Sequence, residues 1–549
     1  MKAPVPSRAA LGSTAPPDGE RRETRLPLST ILVTVLSAAT ICVLMYHFWQ
    51  TMPRFGPQPA NLDLALDLLQ IRAQQINGLS LNGSWSYSLA GFYSGPFYIW
   101  SMAIGGIAGS AVLGQEYYYY SGYVFSQLLV IAAMLWSIRQ AQRWLKGLWA
   151  AGFCVSLLFM MTVAVNQNTG GFSPYLTVPS WGPAVSSGMF VAAFMLFIVY
   201  SLSRRGLGGL LLFSGLAFQT HGMVEVPVAI MLVLPLYDVV RGCWGRSITK
   251  SLYELRWAIS GAVLGWGVLV LHIARDGVHI ILPTRSLVGV GGSAAEHLRA
   301  AGAQIGVGGA WICIIVPVVV SVIAIVAGVV WRQFARVSFA LVAMSGWVVG
   351  SLALFSYSDN GAHVTIWYIA SVYLVAGSAA FYVFGSVLLK VFKATTPGWG
   401  NVLGGVLALV IAINPLGLPL VLMNPSFSFL HAPYADGMRK LGTNLPAGDL
   451  NFIVTGNNRG ESDPVIAAAQ TYGHRVCRVQ RYLSPAAEAI TIARFTCPHG
   501  ELKNGRWLLV VDTERDFGYR GRTLVEAKVG DRVYRVLEVP KDIAGPALS

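Results

Sequence analysis

Residues 94–113 read SGPFYIWSMAIGGIAGSAVL, without a single charged side chain. A helix needs about 20 apolar residues to cross roughly 30 Å of hydrocarbon. This run therefore has the length either to span a bilayer or to lie on its surface. Eleven further runs read as crossings: 28–49, 120–138, 148–165, 184–203, 207–220, 224–239, 257–274, 309–331, 337–356, 366–389 and 400–422. The basic loops choose between the two placements of 94–113, because cytoplasmic loops are enriched in Lys and Arg. Arg21, Arg22 and Arg25 put the N-terminus in the cytoplasm. If 94–113 does not cross, five more basic clusters fall inside: Arg139/Arg143/Lys146, Arg204/Arg205, Arg241/Arg246/Lys250/Arg256, Arg332/Arg336 and Lys390/Lys393. If it crosses, all five fall outside. The segment is therefore expected to form a short helix on the outer face. The chain is expected to be an all-α polytopic membrane bundle of about 11 transmembrane helices.

The composition agrees. Of 549 residues, 54% are hydrophobic and 12% charged, and mean hydropathy is +0.56, whereas soluble domains carry about 25% charged residues. That excludes a soluble globule, a disordered chain and a disulfide-rich secreted miniprotein. The net charge of +14 follows the threading: the cytoplasmic segments carry +13, the outer loops before residue 424 carry −2, and the remaining tail +3. Nucleic-acid binding needs a basic face on a folded surface; none is legible, and no nucleic-acid partner is expected. Residues 1–27 are polar and Pro-containing and are expected to be disordered in the cytoplasm. The run 28–49 reads as an uncleaved signal anchor in a bacterial inner membrane.

From about residue 424 the composition becomes that of a soluble protein. Strand-like alternation appears at Leu450–Thr455, Trp507–Asp512, Thr523–Val529 and Arg532–Val539, with a helix at Pro464–Tyr472 between the first two. An inside start and eleven crossings put this small α/β domain, 424–549, in the periplasm or outside the cell, beyond a membrane domain of 28–423 whose first outer loop is 50–119. Cys477 and Cys497 are the two cysteines of this domain. An oxidising compartment would let them pair, with a gain of about 3 kcal/mol in the chain-entropy model. No Cys/His spacing suggests zinc.

Runs 184–203, 309–331, 366–389 and 400–422 contain no Asp, Glu, Lys or Arg. Coupled transporters keep ionisable groups near the midplane, so the polar chemistry is sought at the outer ends of the helices. In NLDLALDLLQIRAQQIN, residues 61–77, Asp63, Asp67, Gln70, Gln74 and Asn77 recur on one helical face, with Leu62, Ala65, Leu66, Leu69 and Ala73 largely opposite. This is an amphipathic helix at the membrane–water interface. Its polar face is either solvated or turned into a site under the loop. In the second case two carboxylates one turn apart repel and can divide the roles of acid and base. The segment Gly83–Tyr98, with Tyr93, mixes Gly, Ser and aromatics, as sugar stacking requires; an interfacial aromatic belt has the same composition. Gln219, Thr220, His221 and Glu225 make a polar corner broken by Gly222 and Pro227. There His221 can bind a phosphate oxygen or carry a proton, or the corner is only a hydrogen-bonded turn. Arg275, Arg285, His297 and Arg299 lie in an outer loop, 275–308, where basic residues are scarce, and suit a phosphate by charge.

The ordered set resembles the bacterial multipass glycosyltransferases of the GT-C superfamily, in particular a branch with a Trp-Asn-His-Pro-Gly-Pro motif. Leu62-Asp63-Leu64-Ala65-Leu66 is similar to its Asp-x-Ala-Leu segment. Phe92-Tyr93-Ser94-Gly95-Pro96 matches the Gly-Pro end of His-Pro-Gly-Pro, with Tyr93 and Ser94 in place of His-Pro. Trp181-Gly182-Pro183 resembles Trp-Asn-Pro, and Gln219-Thr220-His221 is the closest match. The resemblance covers roughly the first 240 residues. It implies a polyprenyl-phosphate sugar as donor, a cell-envelope glycan or lipid as acceptor, and inversion at the anomeric carbon on the extracytoplasmic side. It implies Asp63 as the general base, with Asp67 supporting it or binding acceptor. It leaves His221, Gln219, Glu225, Tyr93, Arg275, Arg285 and Arg299 as substrate-binding candidates. The sequence leaves the cofactor open: Asp63 and Asp67 with water could hold a divalent metal, although two carboxylates are a thin site. The rival readings are an envelope-precursor or lipid-linked-glycan transporter without chemistry, and an assembly scaffold anchored by its helices.

Overall fold

The structure, a computed structural model, describes residues 62–83, 85–86, 91–92, 95–144, 164–166, 171–173, 182–221, 224–243, 248–277, 293–296, 299, 310–330, 332–354, 432–455, 459–480, 497, 501–515, 518–529 and 532–541. The expected crossings 28–49, 366–389 and 400–422 lie outside these residues, as does nearly all of 148–165. The described helices before the tail are α1 Leu62–Asn77, α2 Phe97–Leu113, α3 Tyr118–Trp144, α4 Gly182–Ser203, α5 Leu207–Thr220, α6 Glu225–Cys243, α7 Ile248–Asp276, α8 Ala310–Val330 and α9 Ala335–Leu354. Short antiparallel ladders join β1 Trp85–Ser86 to β2 Gly91–Phe92, and β3 Ala164–Asn166 to β4 Gly171–Ser173.

α4 is the centre of the bundle. It is apolar on all sides, and every side chain from Met189 to Ser201 is buried, as expected of a helix with no polar stripe. α3, α5, α6 and α9 pack around it. α5 and α7 meet backbone to backbone through Gly208 and Gly215 on one side and Gly261 and Gly265 on the other. A Cβ at any of these four would strike the facing helix, which is the small-residue packing of helices in lipid. Segments Tyr118–Ala141, Glu225–Cys243 and Leu255–Arg275 are long and apolar enough to cross a membrane. Large apolar side chains stand exposed along α7 (Val263, Leu264, Val270) and α8 (Val318, Val322, Val326), where water would not be tolerated but lipid is.

The two ends of the bundle differ. At one end Asp238 of α6 accepts hydrogen bonds from Arg336 at the start of α9, from Arg204 just past α4, and from the Tyr200 hydroxyl. Arg205 lies over the Trp144 ring at the end of α3. Arg143 lies over the same ring, so basic groups from three of the five clusters share one face. The opposite end holds α1, the Gln219 end of α5 and the Arg275 end of α7. α2 begins against Gln219, through Gly95, and its Trp100 donates to the Ser80 carbonyl at 2.7 Å. The turn after it returns to α1, where Arg72 donates to Gln115 and the Tyr118 hydroxyl to the Ile71 carbonyl, both at 3.1 Å. Residues 97–113 therefore start and finish at the same end, packed on α3 where Gly122 meets the Met102 backbone.

The tail forms α10 Ala432–Thr443, β5 Asp449–Val454, α11 Arg459–Thr471, β6 Arg475–Gln480, β7 Arg506–Asp512, β8 Arg522–Val529 and β9 Arg532–Glu538. The sheet order is β6-β5-β7-β9-β8, with β5 parallel to β6 and β7, and β9 antiparallel to β7 and β8. β5–α11–β6 is a crossover unit, which parallel pairing requires. Two elements of the tail, α10 and β6, were not read from the sequence, and α11 starts at Arg459 rather than Pro464. Cys477 of β6 is disulfide-bonded to Cys497. Arg478, on the same strand, is 0% exposed and forms a two-pronged ion pair with the equally buried Asp463 of α11, at 2.6 and 3.1 Å. α11 also packs on α1, so the tail and residues 62–77 sit on one side of the bundle.

Candidate functional site

α1 is built differently from an interfacial helix with a wet face. Asp67 is 5% exposed, and Gln70 and Gln74 on the same face are 3% exposed. The apolar residues Leu68, Leu69, Ile71 and Ala73 around the rest of the helix are buried as well. The helix is held between the bundle and α11, and a solvated polar face is ruled out for Asp67, Gln70 and Gln74. Buried amides must be paired, and these are. Gln70 donates to the Gly83 carbonyl at 2.6 Å. Gln74 accepts from the Ser80 amide at 2.6 Å and donates to its hydroxyl at 3.2 Å. These bonds fold residues 78–83 back over the polar face. Asp63 lies in the first turn of α1, one turn before Asp67, where the helix dipole favours a carboxylate; its side chain is outside the described ones.

The second part of the site is the end of α5. Gln219, 2% exposed, donates to the Gly265 carbonyl of α7. Gly95 lies against its side chain: a Cβ there would come within 2.5 Å of Gln219 Cγ. Two motif segments more than a hundred residues apart, Gly95-Pro96 and Gln219-Thr220-His221, are thus in contact. His221 ends α5 with extended backbone and is buried. Glu225 opens α6 and is half-buried.

The third part is the end of α7. Arg275 donates to Asn82 Oδ1 at 2.9 Å, which brings a guanidinium to the loop that Gln70 holds through Gly83. One turn earlier on α7, His272 is 2% exposed. Neither His272 nor Asn82 was singled out from the sequence. The signal for His272 was present, since it lies inside the otherwise apolar run 257–274 and three residues before Arg275, on the same face. Arg299 is exposed. Tyr93, Arg285, His297 and Trp181 lie outside the described residues; Gly182 and Pro183 open α4.

The arrangement thus places a buried carboxylate, a set of committed amides, a histidine and a guanidinium at one end of a membrane bundle. Among the described residues no three His, Cys, Asp or Glu side chains group as metal ligands do. Asp67 would need Asp63 to hold a divalent ion.

No family model matches this chain, and no curated protein sequence matches it. Among solved structures, ArnT from Cupriavidus metallidurans in the apo state is similar over 92% of this chain and 99% of its own, with 12% identity and a TM-score of 0.51. The same protein bound to undecaprenyl phosphate is 14% identical, with a TM-score of 0.42, over 93% of this chain and 100% of its own. The oligosaccharyltransferase of Archaeoglobus fulgidus in its apo form is 12% identical, with a TM-score of 0.47, over 88% of this chain and 69% of its own. The last two are too distant in shape to argue from. The first, at its low identity, speaks for the fold: over nearly its whole length this chain is folded as ArnT is.

Proposed function

We propose that the chain is an integral membrane glycosyltransferase of the GT-C type, moving a sugar from a polyprenyl-phosphate donor to a cell-envelope glycan or lipid acceptor. The reaction takes place on the extracytoplasmic face of a bacterial inner membrane, with inversion. The observation that carries this reading is the meeting, at one end of the bundle, of segments from separate loops: the Asp67 face of α1, residues 78–83, Gly95-Pro96, Gln219–His221 and the Arg275 end of α7. The resemblance of these motifs to the GT-C pattern and the ArnT-like fold both support it. A lipid-borne donor keeps its phosphate at the membrane surface, and these groups gather at a helix end rather than at mid-depth.

In this mechanism the carboxylate of Asp63 takes the proton of the acceptor hydroxyl. The oxygen attacks the anomeric carbon as the bond to the phosphate oxygen breaks on the opposite face. The electron pair leaves with polyprenyl phosphate, and the proton stays on Asp63 until water removes it. Asp67 orients the acceptor. Arg275 and His221 offset the charge that develops on the departing phosphate, with Arg285 and Arg299 as further cations and Tyr93 and Glu225 on the sugar. Gln219 has a narrower role. Its amide already donates to Gly265, so it fixes Gly95 against α5 and sets the position of His221. The eleven-crossing threading, with α2 returning to the outer face, draws support from the shared end of its two termini and from the collected arginines opposite. The Cys477–Cys497 bond supports an oxidising compartment for the tail.

The test uses the full-length protein in lipid nanodiscs supplied with polyprenyl-phosphate sugars. The expected result is one polyprenyl phosphate released per glycosidic bond formed, with the anomeric configuration inverted. A retained configuration, or donor carried across the bilayer with its sugar linkage intact, overturns the reading.

A further inference from the structure

At the end of the bundle away from α1, the last turns of α3 line a cavity of about 380 Å³ with Leu135, Trp136, Arg139, Gln140 and Arg143. Its residues are ordered by depth. Leu135 and Trp136, both exposed, lie toward the middle of the helix, and Trp136 packs edge-on against Phe213 of α5. Arg139 and Arg143 follow at one-turn spacing, both exposed. Trp144 closes the end, its indole donating to Gln140 at 3.1 Å. Two guanidiniums lie against that one ring, Arg143 at 5.0 Å and Arg205 at 5.1 Å. Arg204 and Arg336 share Asp238, but among the described residues no carboxylate is within ion-pair distance of Arg139, Arg143 or Arg205. Three cations are thus held close together, with an apolar wall beside them.

We propose that this groove binds the headgroup of an anionic phospholipid. The phosphodiester lies on Arg139 and Arg143, with Arg205 completing the positive rim, and an acyl chain runs along Leu135 and Trp136. Guanidinium forks match phosphate oxygens, and basic side chains clustered at the end of a membrane helix attract anionic headgroups. The anion relieves the repulsion among the three arginines. A free phosphate would satisfy the arginines but leave the apolar wall without a use.

The test is native mass spectrometry of the full-length protein incubated with phosphatidylglycerol, with phosphatidylcholine, or with phosphatidylglycerol plus inorganic phosphate. The native chain is expected to retain phosphatidylglycerol in preference to phosphatidylcholine. The preference falls about fivefold for each arginine removed in Arg139→Gln and Arg139→Gln/Arg143→Gln. Arg139→Lys/Arg143→Lys keeps most of it, and Arg256→Gln, an exposed arginine of α7 outside the groove, leaves it unchanged. Equal retention by the double glutamine variant, an equal loss on Arg256→Gln, or displacement of the lipid by inorganic phosphate overturns the proposal. Should the double variant fail to fold, the single Arg139→Gln variant decides by the same comparison, because that side chain is exposed.

Discussion

Asp63 and Asp67 lie one helical turn apart on α1. Asp67 is enclosed between the bundle and α11, beside amides committed to residues 80–83. Asp63 is a turn closer to the beginning of α1. An enclosed carboxylate suits positioning, and one at the helix start suits exchange of protons with an acceptor. Replacing Asp63 by Asn is expected to lower sugar transfer by about 10²–10⁴-fold, the range for losing a general base, with little change in folding. Asp67→Asn is expected to act chiefly on KM for the acceptor; initial rates at varied acceptor concentration separate the two. Arg478 and Asp463 show the opposite use of charge at the residue scale. Both are fully buried, and removing one partner leaves the other uncompensated. Asp463→Ala is expected to destabilise the tail by about 3–5 kcal/mol, read as lost hydrogen-exchange protection of β5 and β6. Replacing both by apolar residues of similar volume should recover most of that protection.

At the scale of elements, the long apolar runs were legible as helices: α4, α5, α8 and α9 fall within a few residues of the runs read from the sequence, and α3 extends six residues past the end of its run. The four strands whose alternation is apolar against polar were legible too. β6 was not, because RVCRVQ looks like a polar edge segment, and its Arg478 breaks the rule that arginines point outward; only the Asp463 partner, fifteen residues earlier, makes that burial possible. α1 was legible as an amphipathic helix but not in its surroundings, since α11 comes from a part of the chain some four hundred residues away. Contact between Gly95 and Gln219 was not legible, because the order of the motifs along the chain does not say which of them touch. The packing gives it a physical test: Gly95→Val drives two methyl groups into the Gln219 side chain. It is expected to cut activity while leaving the tail's hydrogen exchange unaltered. Asp238 is a joint among α4, α6 and α9. Asp238→Asn leaves Arg204 and Arg336 facing each other without a counter-charge, and a loss of about 1–3 kcal/mol is expected, measured as a lower melting temperature in detergent.

Across the whole molecule, the arginine-collecting end and the α1 end give the bundle a direction, and the tail belongs to the α1 side. Burial lowers the pKa of His474, in the turn between α11 and β6, below the usual 6.5. The unfolded chain therefore takes up a proton that the folded tail resists. Stability is at its full value above pH 6.5 and declines as pH falls through that value toward the lowered folded pKa. The tail's melting temperature is expected to drop between about pH 7.5 and 5.5, with His474→Gln reducing that slope.

The account depends on the Asp63 end of the bundle facing away from the cytoplasm. Side-specific labelling tests this in intact cells, in a background where Cys42, Cys154, Cys243 and Cys313 are replaced and the Cys477–Cys497 bond is kept. A membrane-impermeant thiol reagent is expected to modify Leu79→Cys, an exposed position just after α1, without permeabilisation. It is expected to reach Arg205→Cys at the other end only once the membrane is opened. The reverse pattern, with position 79 reachable solely from the cell interior, would contradict the account.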